Sequence, residues 1–197
     1  MVNLQKKTAE LLLKSSQRIA QVIPSASFEF WERKDFRLLV DFNRLSHTEQ
    51  DRMFNELEVS LIGLFDLHLT YIASIAQPEF KKVFTLLQKE LITSFISVMS
   101  QHGVELKHIN IWQALIDIRL KEYWKDYRVV LKEASSWEEF AGNDAMRLHW
   151  ARIETITIGC LQHIQQGNVN KNDKLWKLLR LWFITLDTNL SSLEKLA

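Results

Sequence analysis

Apolar residues return every three or four positions along almost the whole chain, the spacing that gathers side chains on one face of an α-helix. Leu4, Leu11, Leu12, Ile19, Val22 and Ile23 trace the first stripe and predict a helix from about Asn3 to Val22. Pro24 is expected to stop it, because the residue before a proline avoids the helical region, and Ser25 to Ser27 then reads as a connector. The stretch that follows is dense in aromatics, with Phe28, Phe30, Trp31, Phe36 and Phe42. Within it Asp35 to Leu45 reads as a short helix, and an extended piece at Phe28 to Trp31 is left open.

Ser46 followed three residues later by Glu49 is a capping-box pattern and opens a helix expected to reach about Ile75. Its stripe is Met53, Phe54, Leu57, Leu61, Leu64, Phe65, His68, Ile72 and Ile75. Gly63 inside it costs about 1 kcal/mol relative to alanine, which a close helix crossing would justify. Pro78 restarts the chain in the first turn of another helix, and Gly103 is placed as its C-terminal cap. A further helix is predicted from about His108 to Ala134, ended by Ser135 and Ser136, and Ser136 with Glu139 repeats the capping-box pattern. Gly142 to Asp144 reads as a turn or kink. Met146 to Gln166 is helical, ended by Gly167 and Asn168, and a last helix begins near Asn172 and runs almost to Ala197. Between Leu175 and Leu186 that last helix is apolar on nearly every face, the pattern of a helix buried centrally or covering an interface.

Composition sharpens the class. The chain has only 5 glycines and 2 prolines in 197 residues, too few to serve the many turns of a sheet protein. The reading is all-α: a single domain spanning 1–197, an up-and-down-like bundle of about six long helices, with no internal repeat.

Lys and Arg number 25 against 24 Asp and Glu, so the basic excess of a dedicated nucleic-acid binder is missing. The charge is unevenly spread: Lys6, Lys7, Lys14 and Arg18 on the first helix could face Glu49, Asp51, Glu56, Glu58 and Asp66 on the capping-box helix, within one chain or across a dimer. One cysteine, Cys160, excludes an internal disulfide, and no apolar run reaches the 18 residues of a membrane span. A cytoplasmic protein is expected.

Chemistry-bearing motifs are sparse. Glu105 and His108 form a single Glu-x-x-His pair where a di-metal carboxylate site needs two, so no metal or cofactor is expected. Cys160, with His163 three residues on, lies on an apolar stripe and reads as core. No catalytic residue stands out. The expected function is therefore non-enzymatic: binding of a protein partner or self-association as a homodimer, through Trp176, Leu179, Trp182 and Phe183 of the over-apolar last helix. The segment Lys171 to Arg180 gives that helix a basic edge. The alternative is a bundle with a small-molecule pocket, as sensor or enzyme, built from His68, Tyr71, His149 and Trp150, with a metal-carboxylate enzyme a weaker third possibility. Convergence of His68, His102, His149 and Glu154 in the core is the arrangement that would favour a site.

Overall fold

The structure, a computed structural model, describes residues 2–167 and 173–190, with residues 2–13 and 79 in backbone only. Seven α-helices and two short 3-10 turns account for the described residues, and no strand occurs among them. The helices are α1 (Val2–Trp31), α2 (Lys34–Leu39), α3 (His47–Ile75), α4 (Pro78–Gln101), α5 (Leu106–Ala134), α6 (Asp144–Ile164) and α7 (Lys174–Leu190). Six are long, as the periodicity predicts, and together they form an all-α bundle.

Several boundaries follow directly from local chemistry. Ser46 Oγ accepts the Glu49 amide at 3.3 Å and starts α3. Pro78 occupies the first turn of α4, and Gly103 leaves that helix with φ +79°, a conformation that suits glycine. The second capping box does not form: Ser136 Oγ donates to the Glu133 carbonyl instead. Asn143, after the left-handed Gly142, caps α6 by accepting the Met146 amide at 3.0 Å. The expected start of the last helix at Asn172 and its approach to Ala197 fall outside the described residues, as do Asn168 and Lys171.

Pro24 does not end the first helix; α1 runs through it to Trp31, and Phe28 to Trp31 is helical rather than extended. Proline costs an interior helix one hydrogen bond and a ring clash. Aromatic packing past Pro24 outweighs that cost: Phe30 stacks on Trp182 at 4.2 Å, and Trp31 meets Phe42 at 5.0 Å and Phe54 at 6.0 Å between ring centres.

The bundle is organised around α3, which packs against α1, α4, α5, α6 and α7. Residues 56–69 of α3 are buried without interruption, and so are residues 151–157 of α6. These two are the helices buried all round. The last helix, α7, instead buries a narrow row at i, i+4 spacing: Leu175, Leu179, Phe183 and Asp187. By length and composition α3 and the Phe80–Gln101 part of α4 would each suffice to cross a membrane, but 78% of the α3 window is buried in the bundle, the signature of a core helix.

The close crossing predicted at Gly63 has a specific filling. The Tyr123 ring of α5 wedges between α3 and α6, with one edge against Gly63 and the opposite edge against Gly159. A Cβ at either glycine would lie 2.4–2.5 Å from a ring carbon, inside contact distance. Ser60 Oγ and the Tyr123 hydroxyl are 2.9 Å apart at the ring tip.

Candidate functional site

The polar centre of the bundle is the carboxylate of Asp187, buried on α7. The i, i+4 row that packs Leu179 and Phe183 into the core carries Asp187 in behind them, so the apolar face of α7 delivers an acid to the α3–α6 groove. Two histidines reach it. His68 Nδ1 of α3 lies 2.7 Å from Oδ1, and His149 Nδ1 of α6 lies 2.6 Å from Oδ2. Arg152, one turn beyond His149 on α6, donates from Nη2 to Oδ2 at 3.0 Å. The ring of Tyr71 covers the Arg152 guanidinium at 4.6 Å.

Burial alone would raise the Asp187 carboxyl, but the hydrogen bonds from His149 and His68 and the nearby Arg152 charge hold it well below the usual carboxylate range. An ionised carboxylate can only accept hydrogen bonds, so both histidines donate from Nδ1. In each neutral ring the proton is thereby fixed at Nδ1 and Nε2 becomes the acceptor. The two rings differ in access. His68 is 1% exposed, whereas the His149 side chain is 37% exposed. Arg152 Nε and Nη1 are buried with no hydrogen-bond partner among the described residues, so the guanidinium keeps donor capacity beyond what Asp187 uses. Tyr127 of α5 lies in the same electrostatic environment as Arg152, Tyr71 and Asp187, and burial raises its phenol.

Three of the four small-molecule candidates named from the sequence thus gather in one place: His68 and His149 bond the carboxylate, and Tyr71 lies against Arg152 and His68. Trp150 belongs elsewhere, in an aromatic cluster with Trp137 at 4.7 Å and Phe140 at 5.6 Å. His102 is the exposed C-terminal cap of α4, and Glu154, buried on α6, lies 3.8 Å from Arg180. Sequence reasoning passed over Asp187 and Arg152. The signal for Asp187 was present: an acid that continues an apolar i, i+4 row has to be buried with it.

The four interface candidates on α7 are largely spent inside the chain. Leu179 and Phe183 are fully buried, Trp182 stacks on Phe30, and half-buried Trp176 lies under Arg180 at 5.5 Å. Leu181 is the large apolar residue that α7 exposes. Three acids of α3 find partners outside α1, while the side chains of Lys6 and Lys7 lie outside the described residues. Glu56 forms a two-pronged pair with Arg119 of α5 at 2.6 and 3.0 Å, and Asp66 is held by Gln88 and Trp124. Glu49 binds Arg52, whose guanidinium also donates to the His163 and Ile164 carbonyls that end α6.

Cys160 is buried, and desolvation pushes its thiol up to about 12, so it has no thiolate to offer as a nucleophile. His163 faces Glu122 instead, 3.2 Å away, beside a hollow of about 230 Å3 between α5 and α6. Glu122 is already paired there with Arg119. Glu105 lies at the N-cap of α5 and pairs with Lys107 at 2.7 Å, and no group of three or more metal-binding side chains occurs among the described residues. Comparison with protein-family models, with curated proteins and with solved structures finds no match to this chain.

Proposed function

We propose that this chain handles a small molecule at the Asp187 centre, with His149 as the proton-exchanging group. One observation carries the reading: the His149 imidazole is oriented through Nδ1 by a buried carboxylate at 2.6 Å while its side chain stays 37% exposed. A carboxylate so placed holds the proton at Nδ1 and leaves Nε2 as the acceptor, the tautomer a general base needs. His68 anchors the other carboxylate oxygen and keeps the acceptor in register. Arg152 donates to the same carboxylate oxygen at 3.0 Å and helps keep Asp187 ionised. A purely structural histidine would need no open edge, and His68 illustrates that case.

The test is a comparison of wild type with His149→Gln, each incubated with a metabolite extract and followed by mass spectrometry. Depletion or retention of a compound by wild type and not by the variant supports the proposal. Indistinguishable profiles overturn it.

A second reading, self-association, draws on α5 rather than α7. Ile111, Ile118 and Val129 are exposed and lie in one row at spacings of seven and eleven residues. The same face carries exposed Lys125 and Glu133, which gives a second copy both signs of charge to match. Light scattering on wild type and Ile118→Lys tests it: a dimer that the substitution dissolves supports this reading, and a wild-type monomer overturns it.

A further inference from the structure

Asp66 lies two residues before His68 on α3 but points to the other side of the helix, into a cleft bounded by α3, α4 and α5. The cleft measures about 570 Å3 and is lined by Asp66, Gln88, Asp117, Leu120, Lys121, Trp124 and Arg128. That volume falls within the range of small-molecule sites. The Asp66 carboxyl is buried at its floor. Gln88 Nε2 donates to Oδ1 at 2.8 Å and Trp124 Nε1 donates to Oδ2 at 2.7 Å. Gln88 Nε2 also reaches the Thr70 hydroxyl, at 2.9 Å.

These donors fix the carboxyl group but are neutral. No lysine, arginine or histidine among the described residues comes within ion-pair distance of Asp66. A buried carboxylate without a counter-charge is electrostatically incomplete, and burial accordingly pushes this acid up. One helical turn beyond Trp124 on the same helix, Arg128 stands exposed on the cleft rim, with Lys121 on the turn before. The cleft therefore combines a desolvated acid at its floor with solvated cations, Arg128 and Lys121, at its rim.

We propose that this cleft binds a small zwitterion of the amino-acid class, its ammonium group on Asp66 and its acid group on Arg128. The ammonium supplies the counter-charge that Asp66 lacks, while Gln88 and Trp124 continue to hold the two carboxylate oxygens. The planar guanidinium of Arg128 suits a carboxylate. The site is separate from the Asp187 centre and stands or falls without it.

The indole N–H of Trp124 is the natural reporter, because it is bonded to the carboxylate that would take the ligand. The full chain, labelled with nitrogen-15, is titrated to millimolar levels with the proteinogenic amino acids, and in parallel with methylamine and with acetate. Trp124 is assigned by loss of its signal in Trp124→Phe. The expected result is a saturable shift of that resonance by at least one amino acid. Affinity should fall at least about tenfold in Asp66→Asn and again in Arg128→Ala, while the other indole resonances stay in place. Arg128 is exposed, so its alanine variant reports even if the Asp66 variant folds poorly. Three results would overturn the proposal: no saturable shift with any amino acid, equal affinity in Arg128→Ala, or methylamine binding as tightly as the amino acid.

Discussion

Replacing Asp187 with asparagine tests the physical core of the site, because it removes one charge while keeping nearly the same volume. The carboxylate accepts from His68, His149 and Arg152, and it is buried together with Arg152, which is 1% exposed. Asparagine can still accept one of these bonds, and the histidines can change tautomer to accept from its amide. The Arg152 guanidinium has no such adjustment. Its Nε and Nη1 already lack partners among the described residues, and the substitution leaves it as a buried cation without a counter-charge. Removing one member of a buried pair costs about 3–5 kcal/mol. Against a total stability of about 5–15 kcal/mol this is a large fraction. With a urea dependence of about 2 kcal/mol per molar, the unfolding midpoint should drop by about 2 M, read by circular dichroism.

Two further arms make the result specific. Adding Arg152→Met removes the stranded cation, so the double variant should be more stable than Asp187→Asn alone. The pH profile should change as well. The folded-state pKa of Asp187 is depressed, so its stabilisation is present at neutral pH and is lost as the pH falls below about 4. The asparagine variant should lack that part of the acid limb. A loss below about 1 kcal/mol at pH 7, set against the value for a buried pair, would refute the reasoning, and so would failure of Arg152→Met to restore stability.

The remaining predictions concern single residues. Burial pushes the Glu58 carboxyl up to about 8, so the folded state binds more protons than the unfolded one from about pH 4.3 upward, and stability falls as the pH rises through that window; Glu58→Gln should therefore stabilise by about 2–4 kcal/mol at pH 8 and leave stability at pH 4 nearly unchanged, measured by urea unfolding at both pH values. Gly159→Ala should destabilise by about 1–3 kcal/mol despite the better helix propensity of alanine, and Tyr123→Leu in the same chain should absorb part of that loss, as a double-mutant cycle will report. Cys160 should resist alkylation in the native protein at pH 8 and react promptly in denaturant, followed by mass spectrometry.

Most of the architecture is legible in the residues because helix periodicity and end signals are local. Ser46, Pro78 and Gly103 act within one turn of where they stand, and each marks a real boundary. Pro24 misleads for the opposite reason: its local penalty is overcome by Phe30 and Trp31, whose partners Trp182, Phe42 and Phe54 lie far along the chain. The same distance hides the site. His68 and Asp187 are 119 positions apart, and no spacing rule links them. The apolar excess of α7 pointed to a partner because the depth of the α3–α6 groove, which receives Leu179 and Phe183, cannot be read from one helix. Asp66 was visible only as one acid among several on α3. Its two neutral donors come from α4 and α5, so the character of that carboxylate depends on packing.

The wedge of Tyr123 between Gly63 and Gly159 also bears on how this chain can change over descent. One ring occupies the notches of two helices, so three positions spread over almost a hundred residues behave as a single heritable character. A side chain gained at either glycine is tolerated only after the ring has shrunk, and a smaller residue at 123 leaves a void until a glycine has been replaced. Lineages must therefore pass through a less stable intermediate in either order. In any set of relatives, the three positions should be inherited as a block, with tyrosine retained wherever both glycines are.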